Sequence, residues 1–166
     1  MEERVVLVNA QDEEIGTMEK MEAHRRGVLH RAFSVFIFNG SGQMLLQQRA
    51  FSKYHSAGLF TNACCSHPRP GETTADAATR RLFEEMGLTV PLRHHSHFIY
   101  ESHFENGLTE HEFDHVFTGT TDADPEINPE EVASFKWMDV AEIKKQIFHH
   151  PEQFTTWFRI AVKKLF

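Results

Sequence analysis

Apolar residues along this chain recur with periods that name most of its elements. Val5–Val8 is a short apolar run and predicts a strand. His30–Phe38 (HRAFSVFIF) is rich in aromatic and β-branched residues. Asn39-Gly40-Ser41-Gly42 then signals a turn and Met44–Arg49 follows, so these two runs predict a β-hairpin. Thr73 or Thr74 caps a helix running to about Met86, with Gly87 as its stop. A second hairpin is written as HFIYESHF, Asn106-Gly107 and TEHEFDHVF. Ser134–Met138 (SFKWM) is another short strand, and a helix follows over roughly Val140–Phe148. Pro151 opens a last helix in which Phe154, Trp157, Phe158, Ala161 and Leu165 recur at helical spacing. There are no repeats, low-complexity tracts or linkers. The order β-rich, helix, β-rich, helices predicts one α/β (α+β) domain over residues 1–166, with a mixed sheet between helices.

Composition narrows the partners. At 166 residues, with 40% hydrophobic and 25% charged residues, the chain can build one substantial core. A net charge of −7 and the lack of any basic run argue against nucleic acid. No run approaches a membrane span, and MEERVVLVNAQDEE has no signal-peptide core. A disulfide between the neighbours Cys64 and Cys65 would be strained, so free thiols in a reducing cytoplasm are expected. The expected assembly is a monomer or small homo-oligomer. Histidine is the outlier, with 12 residues. His94-His95 and His149-His150 look like solvated surface, but the number invites a search for metal ligands.

Chemistry concentrates in Thr61–Leu88, TNACCSHPRPGETTADAATRRLFEEMGL. It sets a thiol (Cys65) two residues from an imidazole (His67), then Glu72, then a helix carrying Arg80, Arg81, Glu84 and Glu85. These are parts of a metal-assisted, diphosphate-handling site. Ala75, Ala78, Leu82 and Met86 share the helix's apolar stripe, which puts Glu85 at its border, Arg81 just beyond it, and Arg80 and Glu84 outward. Arg80–Glu84 therefore reads as a plain i,i+4 ion pair, and Arg81 and Glu85 as pocket residues. If extended, Cys65 shares a side with His67, while Cys64 packs as a small apolar residue. A thiol near a cation and Arg81 should have a lowered pKa.

Alternation along Thr109–Phe117 puts Glu110, Glu112 and Asp114 on one strand face. By itself that face reads as the polar outside of an antiparallel strand. His24 and His30, each taken alone, read as surface or satisfied polar residues. Joined with His67, Glu110 and Glu112 they would form a three-nitrogen, two-carboxylate set suited to six-coordinate Mn²⁺ or Mg²⁺, or to Zn²⁺.

Glu72, Arg80 and Glu84-Glu85-Met86-Gly87-Leu88 resemble the Nudix box, G-x5-E-x7-R-E-U-x-E-E-x-G-U with U aliphatic. Ser66 replaces its first Gly and Arg81 the Glu after its Arg, which argues against the alternative of a Nudix hydrolase acting on a nucleoside diphosphate derivative. The chain is more closely similar to type I isopentenyl-diphosphate isomerases, Nudix-fold enzymes that do not hydrolyse their substrate. Thr61-Asn62-Ala63-Cys64-Cys65-Ser66-His67-Pro68 matches their TN-x-x-C-x-HP signature, and Glu110-His111-Glu112 their E-x-E. The likeness runs from VLVNAQDEEIGTMEKMEAH through Arg49-Ala50 and Ser52-Lys53 to Trp157, with Ala57 where many members carry Pro.

The resemblance implies a divalent ion held by His24, His30, His67, Glu110 and Glu112. It implies Cys65 and Glu112 as acid/base groups, with Tyr100 assisting by hydrogen bonding. A second ion, Mg²⁺, would bind Glu85, the Cys65 carbonyl and the substrate diphosphate, which Lys20, Arg49, Lys53 and Arg81 would anchor. The implied reaction passes through a tertiary carbocation, for which Trp157 is the candidate aromatic wall as well as a core residue.

Overall fold

A computed structural model describes residues 2–166. Its backbone is one mixed sheet of nine strands with helices on both faces. Strands β1 (Arg4–Val8) and β2 (Glu14–Glu19) pair antiparallel, and helix α1 (Lys20–Arg26) follows directly. The Glu19 carboxylate caps α1 by accepting from Glu22 N at 2.7 Å. Gly27, in the left-handed region at φ 65°, ends it.

β3 (His30–Phe38) is the central strand. It runs parallel to β8 (Thr109–Thr120) from His30↔Glu112 to Phe38↔Thr120. On its other edge it pairs antiparallel with β6 (Cys64–Ser66), Ser34 opposite Cys65. β4 (Gln43–Arg49) instead pairs antiparallel with β9 (Val132–Asp139) and with the two-residue β5 (Phe60–Thr61). The predicted hairpin between His30–Phe38 and Met44–Arg49 therefore holds only at its turn, through the single pair Phe38↔Met44. The two strands then part because distant segments occupy both edges of β3. The Asn106-Gly107 hairpin forms as expected, between β7 (Arg93–His103) and β8.

Alternation along β3 feeds two cores. Phe33, Val35 and Ile37 join Ala77, Ala78, Leu82 and Met86 of α2 (Thr74–Met86) on one face. Phe36 joins Ile143 of α3 (Val140–His149) and Trp157 and Phe158 of α4 (Thr156–Leu165) on the other. A strand buried on both faces reads as an unbroken apolar run. Pro151 does not open the last helix. Pro151–Gln153 form a 3-10 turn, Phe154 is extended and bridges Phe60, and Thr155 caps α4 by accepting from Phe158 N at 3.3 Å. Burying the Phe154 ring beside β5 requires that extended residue, so the helix starts five residues later than its spacing suggested.

Of the two predicted caps, Thr73 is the one that starts α2, which ends at Gly87, with φ 64°. A Cβ there would lie 2.6 Å from the Glu126 carbonyl oxygen, which accepts no such approach. Gly87→Ala should therefore destabilise the fold by about 1–3 kcal/mol, read as a lower denaturant midpoint with unchanged m-value. An unshifted midpoint would contradict this account of the box glycine.

Candidate active site

The starts of β3 and β8, paired at His30↔Glu112, meet over one buried cluster. Glu110, Glu112 and Asp114 do share a face, but it points inward: all three are buried. The reading of that face as the solvated outside of the sheet is thus overturned: α1 packs against β8, and Glu110 and Glu112 line a cavity rather than the outer surface. Tyr100, opposite Glu112 in the β7–β8 register, places its hydroxyl 2.5 Å from Glu112 Oε1 and 3.1 Å from Glu110 Oε1.

Three imidazoles close on the same point. Their ring centroids lie 5.2 Å (His24–His30), 4.9 Å (His30–His67) and 5.7 Å (His24–His67) apart. His24 and His30 are fully buried, so the surface reading of each alone fails. His24 Nδ1 sits 2.6 Å from the Lys20 carbonyl and His30 Nδ1 2.8 Å from that of Val28. A carbonyl can only accept, so Nδ1 of each ring carries a proton and Nε2 is the atom turned into the cluster.

These groups fit a divalent cation. His24 Nε2 has no hydrogen-bond partner. His30 Nε2 and His67 Nε2 lie 3.2 Å apart, and Glu112 Oε2 is 3.2 Å from the first and 2.8 Å from the second. Neighbouring donors around an ion with bonds of 2.0–2.2 Å stand about 3 Å apart. His24, His30, His67 and Glu112 thus form one donor group, while Glu110 belongs with His24 and His55 in an adjoining one. Burial pushes the His67 imidazole down to about 4, which keeps it neutral and able to ligate. Burial alone would raise Glu112, but His30 and His67 beside it hold its carboxyl well below the usual range. Glu110 is held low against burial and the Glu112 charge by His24 and His55.

Cys65 and Cys64 take opposite sides, as their alternation predicted. Cys64 enters the α2 core with its sulfur 3.6 Å from Glu85 Oε2, and Cys65 faces the cavity. Asn62 Nδ2 donates to the carbonyls of Val35 and Cys64, which fixes Asn62 Oδ1 3.1 Å from the Cys65 thiol as its acceptor. Trp157 Nε1 donates to the same sulfur at 3.1 Å. The expected lowering of the Cys65 pKa is reversed: burial, then the nearby Asp114 carboxyl, push the thiol up. Arg81 turns to Glu85 instead, at 2.8 Å.

A cavity of about 680 Å³ opens beside this cluster. Lys20, Arg49, Lys53 and Arg81 all line it. Arg49 lies over the Trp157 ring at 5.2 Å, while Lys53 and Arg81 both contact Glu131. Glu85 also accepts from Gln47 Nε2 at 3.0 Å. On the outer face of α2, Arg80 pairs with Glu84 at 2.9 Å as expected, and with Glu72 at 2.8 Å. The sequence pattern gave no sign of His55, Glu131 or Gln47, each of which sits outside any motif and reaches the site only through the fold.

Residues 28–158 match the model of the NUDIX domain. The chain is 50% identical over 165 residues to the isopentenyl-diphosphate Delta-isomerase of Serratia proteamaculans, covering 99% of this chain and 92% of that one. It is 52% identical over 161 residues to the protein of the same name from Pectobacterium atrosepticum, covering 97% and 90%. The chain belongs to the isopentenyl-diphosphate Delta-isomerase family. The fold alone is also shared with the Deinococcus radiodurans protein DR0079, at TM-score 0.84 and 24% identity over 99% of both chains. One of the two departures from the Nudix box, Arg81, has a structural setting. Arg81 points into the cavity with the other cations, where a hydrolase of this superfamily would carry a carboxylate. Among the described residues, no helix is long and apolar enough to cross a membrane.

Proposed function

We propose that this chain interconverts isopentenyl diphosphate and dimethylallyl diphosphate, moving one C=C bond by adding a proton at the terminal alkene carbon and removing one from the carbon two positions along. The observation that carries the reading is the placement of Cys65 and Glu112 on strands flanking β3, both facing one cavity whose lining includes Lys20, Arg49, Lys53 and Arg81. An alkene is a very weak base, so its proton must come from a group held protonated at close quarters. The Cys65 thiol, aimed at the fixed Asn62 oxygen and backed by the Trp157 indole, suits that role. Glu112 suits the removal, and Tyr100 O–H steadies its carboxylate. In the reverse direction the two exchange roles.

Lys20, Arg49, Lys53 and Arg81 hold the diphosphate, and the Trp157 face shields the tertiary cation from water; cation over indole is worth about 2 kcal/mol when desolvated. His24, His30, His67, Glu110 and Glu112 would hold one divalent ion, Mn²⁺, Mg²⁺ or Zn²⁺, whose charge would keep Glu112 ionised. Glu85 and the Cys65 carbonyl would bind the Mg²⁺ that arrives with the substrate. The dependence on a free thiol fits a cytoplasmic enzyme.

Purified protein given isopentenyl diphosphate and Mg²⁺ in D₂O should yield the acid-labile allylic diphosphate with deuterium in a methyl group. Release of phosphate without that product would favour a hydrolase, and tight binding with neither product a sequestering module. His67→Ala should lose the tightly held ion, seen as a drop to background by elemental analysis; full retention would refute the ligand set.

A further inference from the structure

Each oxygen of the Glu131 carboxylate meets a different cation of the cavity. Oε2 pairs with Lys53 Nζ, and Oε1 lies 3.5 Å from Arg81 Nη2. Glu131 lines the same cavity as these two residues. Backbone hydrogen bonds place the acid there. Asn128 N donates to the Glu85 carbonyl at 2.9 Å, and the turn that follows closes through Glu131 N to the Asn128 carbonyl, also at 2.9 Å. The Glu131 carbonyl accepts from Ala50 N at 3.0 Å, and the Ala50 carbonyl from Lys53 N at 3.2 Å. The segment before β9 is thus tied both to α2, which carries Arg81, and to the loop that carries Lys53.

A carboxylate that bridges two cations does what two oxygens of one phosphate group would do. The arrangement is not saturated. Arg81 Nη2 also serves Glu85 Oε2 at 2.8 Å, and Arg81 Nε is buried without a hydrogen-bond partner. The Lys53, Arg81 and Glu131 side chains stay 19%, 18% and 25% exposed, so water screens the pairs and one carboxylate holds these cations weakly. A diphosphate brings several charges where Glu131 brings one, and so can displace it. The displaced carboxylate remains anchored by its backbone at the cavity wall, where it repels the phosphate that took its place.

We infer that Glu131 is an internal competitor for the diphosphate subsite: it holds Lys53 and Arg81 in place and weakens the grip on any diphosphate that replaces it. This rests on the reading that Lys53 and Arg81 anchor the substrate. Substrate and product of a double-bond shift carry the same diphosphate, so cations without a competitor would retain both. Glu131 favours release. It touches no reacting carbon and acts only on how tightly the anionic end is held.

Calorimetry with inorganic pyrophosphate should find Glu131→Gln and Glu131→Ala binding about tenfold tighter than wild type without Mg²⁺, and by a smaller factor with Mg²⁺, whose charge offsets part of the repulsion. The KM for isopentenyl diphosphate should fall in both variants while kcat does not rise, a split that a purely structural role would not produce. Unchanged or weaker pyrophosphate binding in a folded variant overturns the inference. A loss confined to Mg²⁺-containing buffer also overturns it, by making Glu131 an ion ligand. Lys53→Met separates this inference from the reading beneath it. If Lys53→Met leaves pyrophosphate affinity unchanged, the anchor assignment fails; if it weakens binding while Glu131→Gln does not tighten it, only the competitor falls. A crystal structure of the wild type with pyrophosphate decides alone if neither Glu131 variant folds. Lys53 Nζ should then contact a phosphate oxygen, with the Glu131 carboxylate beyond about 4 Å. An intact Lys53–Glu131 pair beside bound pyrophosphate overturns the inference.

Discussion

Glu112→Gln should lower turnover by roughly 10³–10⁴-fold, near the top of the range for losing a positioned acid/base group. Three side chains hold it at the cluster. Its Oε1 accepts from Tyr100, and its Oε2 lies against His67 and His30. The amide keeps the shape and can still accept from Tyr100 O–H, so the fold should survive and circular dichroism should not change. What disappears is the negative charge, and with it both the proton acceptor and one anionic metal ligand. Ion content should fall along with kcat, which elemental analysis and a product assay on the same preparation can report together. A Glu112→Gln enzyme within tenfold of the wild-type kcat would remove this carboxylate from the mechanism.

Cys65→Ala should cost turnover about 10²–10⁴-fold while leaving the ion content unchanged. That split separates the two groups, since only Glu112 touches the imidazoles. Truncation also strands the Trp157 N–H, which donates to the sulfur, and leaves Asn62 Oδ1 with the Thr61 hydroxyl as its remaining donor. Stranded buried groups cost about 1–3 kcal/mol, so some loss of melting temperature is expected. Cys65→Ser is the control. A hydroxyl keeps both hydrogen bonds and the fold's stability, yet it is a far weaker acid than a thiol, so activity should remain low. Near-wild-type turnover in Cys65→Ala would end the assignment of the thiol as proton donor. Recovery of stability without activity in Cys65→Ser would show that the sulfur's proton, and not its packing, is what the site requires.

Several features of this fold are written locally. The Thr73 cap, the apolar stripe through Leu82 and Met86 and the stop at Gly87 set α2 in place, because capping and helical periodicity are short-range. The Asn106-Gly107 turn set the β7–β8 register, and alternation put Glu110, Glu112 and Asp114 on one face. Neither signal states which face is dry. For Glu112 that depended on β3 lying parallel beside β8, a pairing between segments about eighty residues apart for which the chain carries no local mark. The same distant pairing drew β3 away from β4 and so dissolved most of the expected hairpin.

The thiol marks the same boundary. Adjacency in sequence placed Cys65 beside His67 and suggested a lowered pKa. The fold buries the sulfur against Asn62 and turns Arg81 toward Glu85, and desolvation then wins over a charge that is no longer aimed at it.

By itself the sequence determined the helix of the box, the alternation of the carboxylate strand, and the motif residues Cys65, His67, Glu110 and Glu112, because spacing and capping act within a few residues. Only the tertiary structure decided that positions 24, 30, 67 and 112 share one point, that Glu110 joins His24 and His55 beside it, and that the carboxylates are buried at the wall of a cavity. Convergence of that kind is made by long-range strand pairing and burial, whose energies depend on partners far along the chain and leave no periodic trace in it.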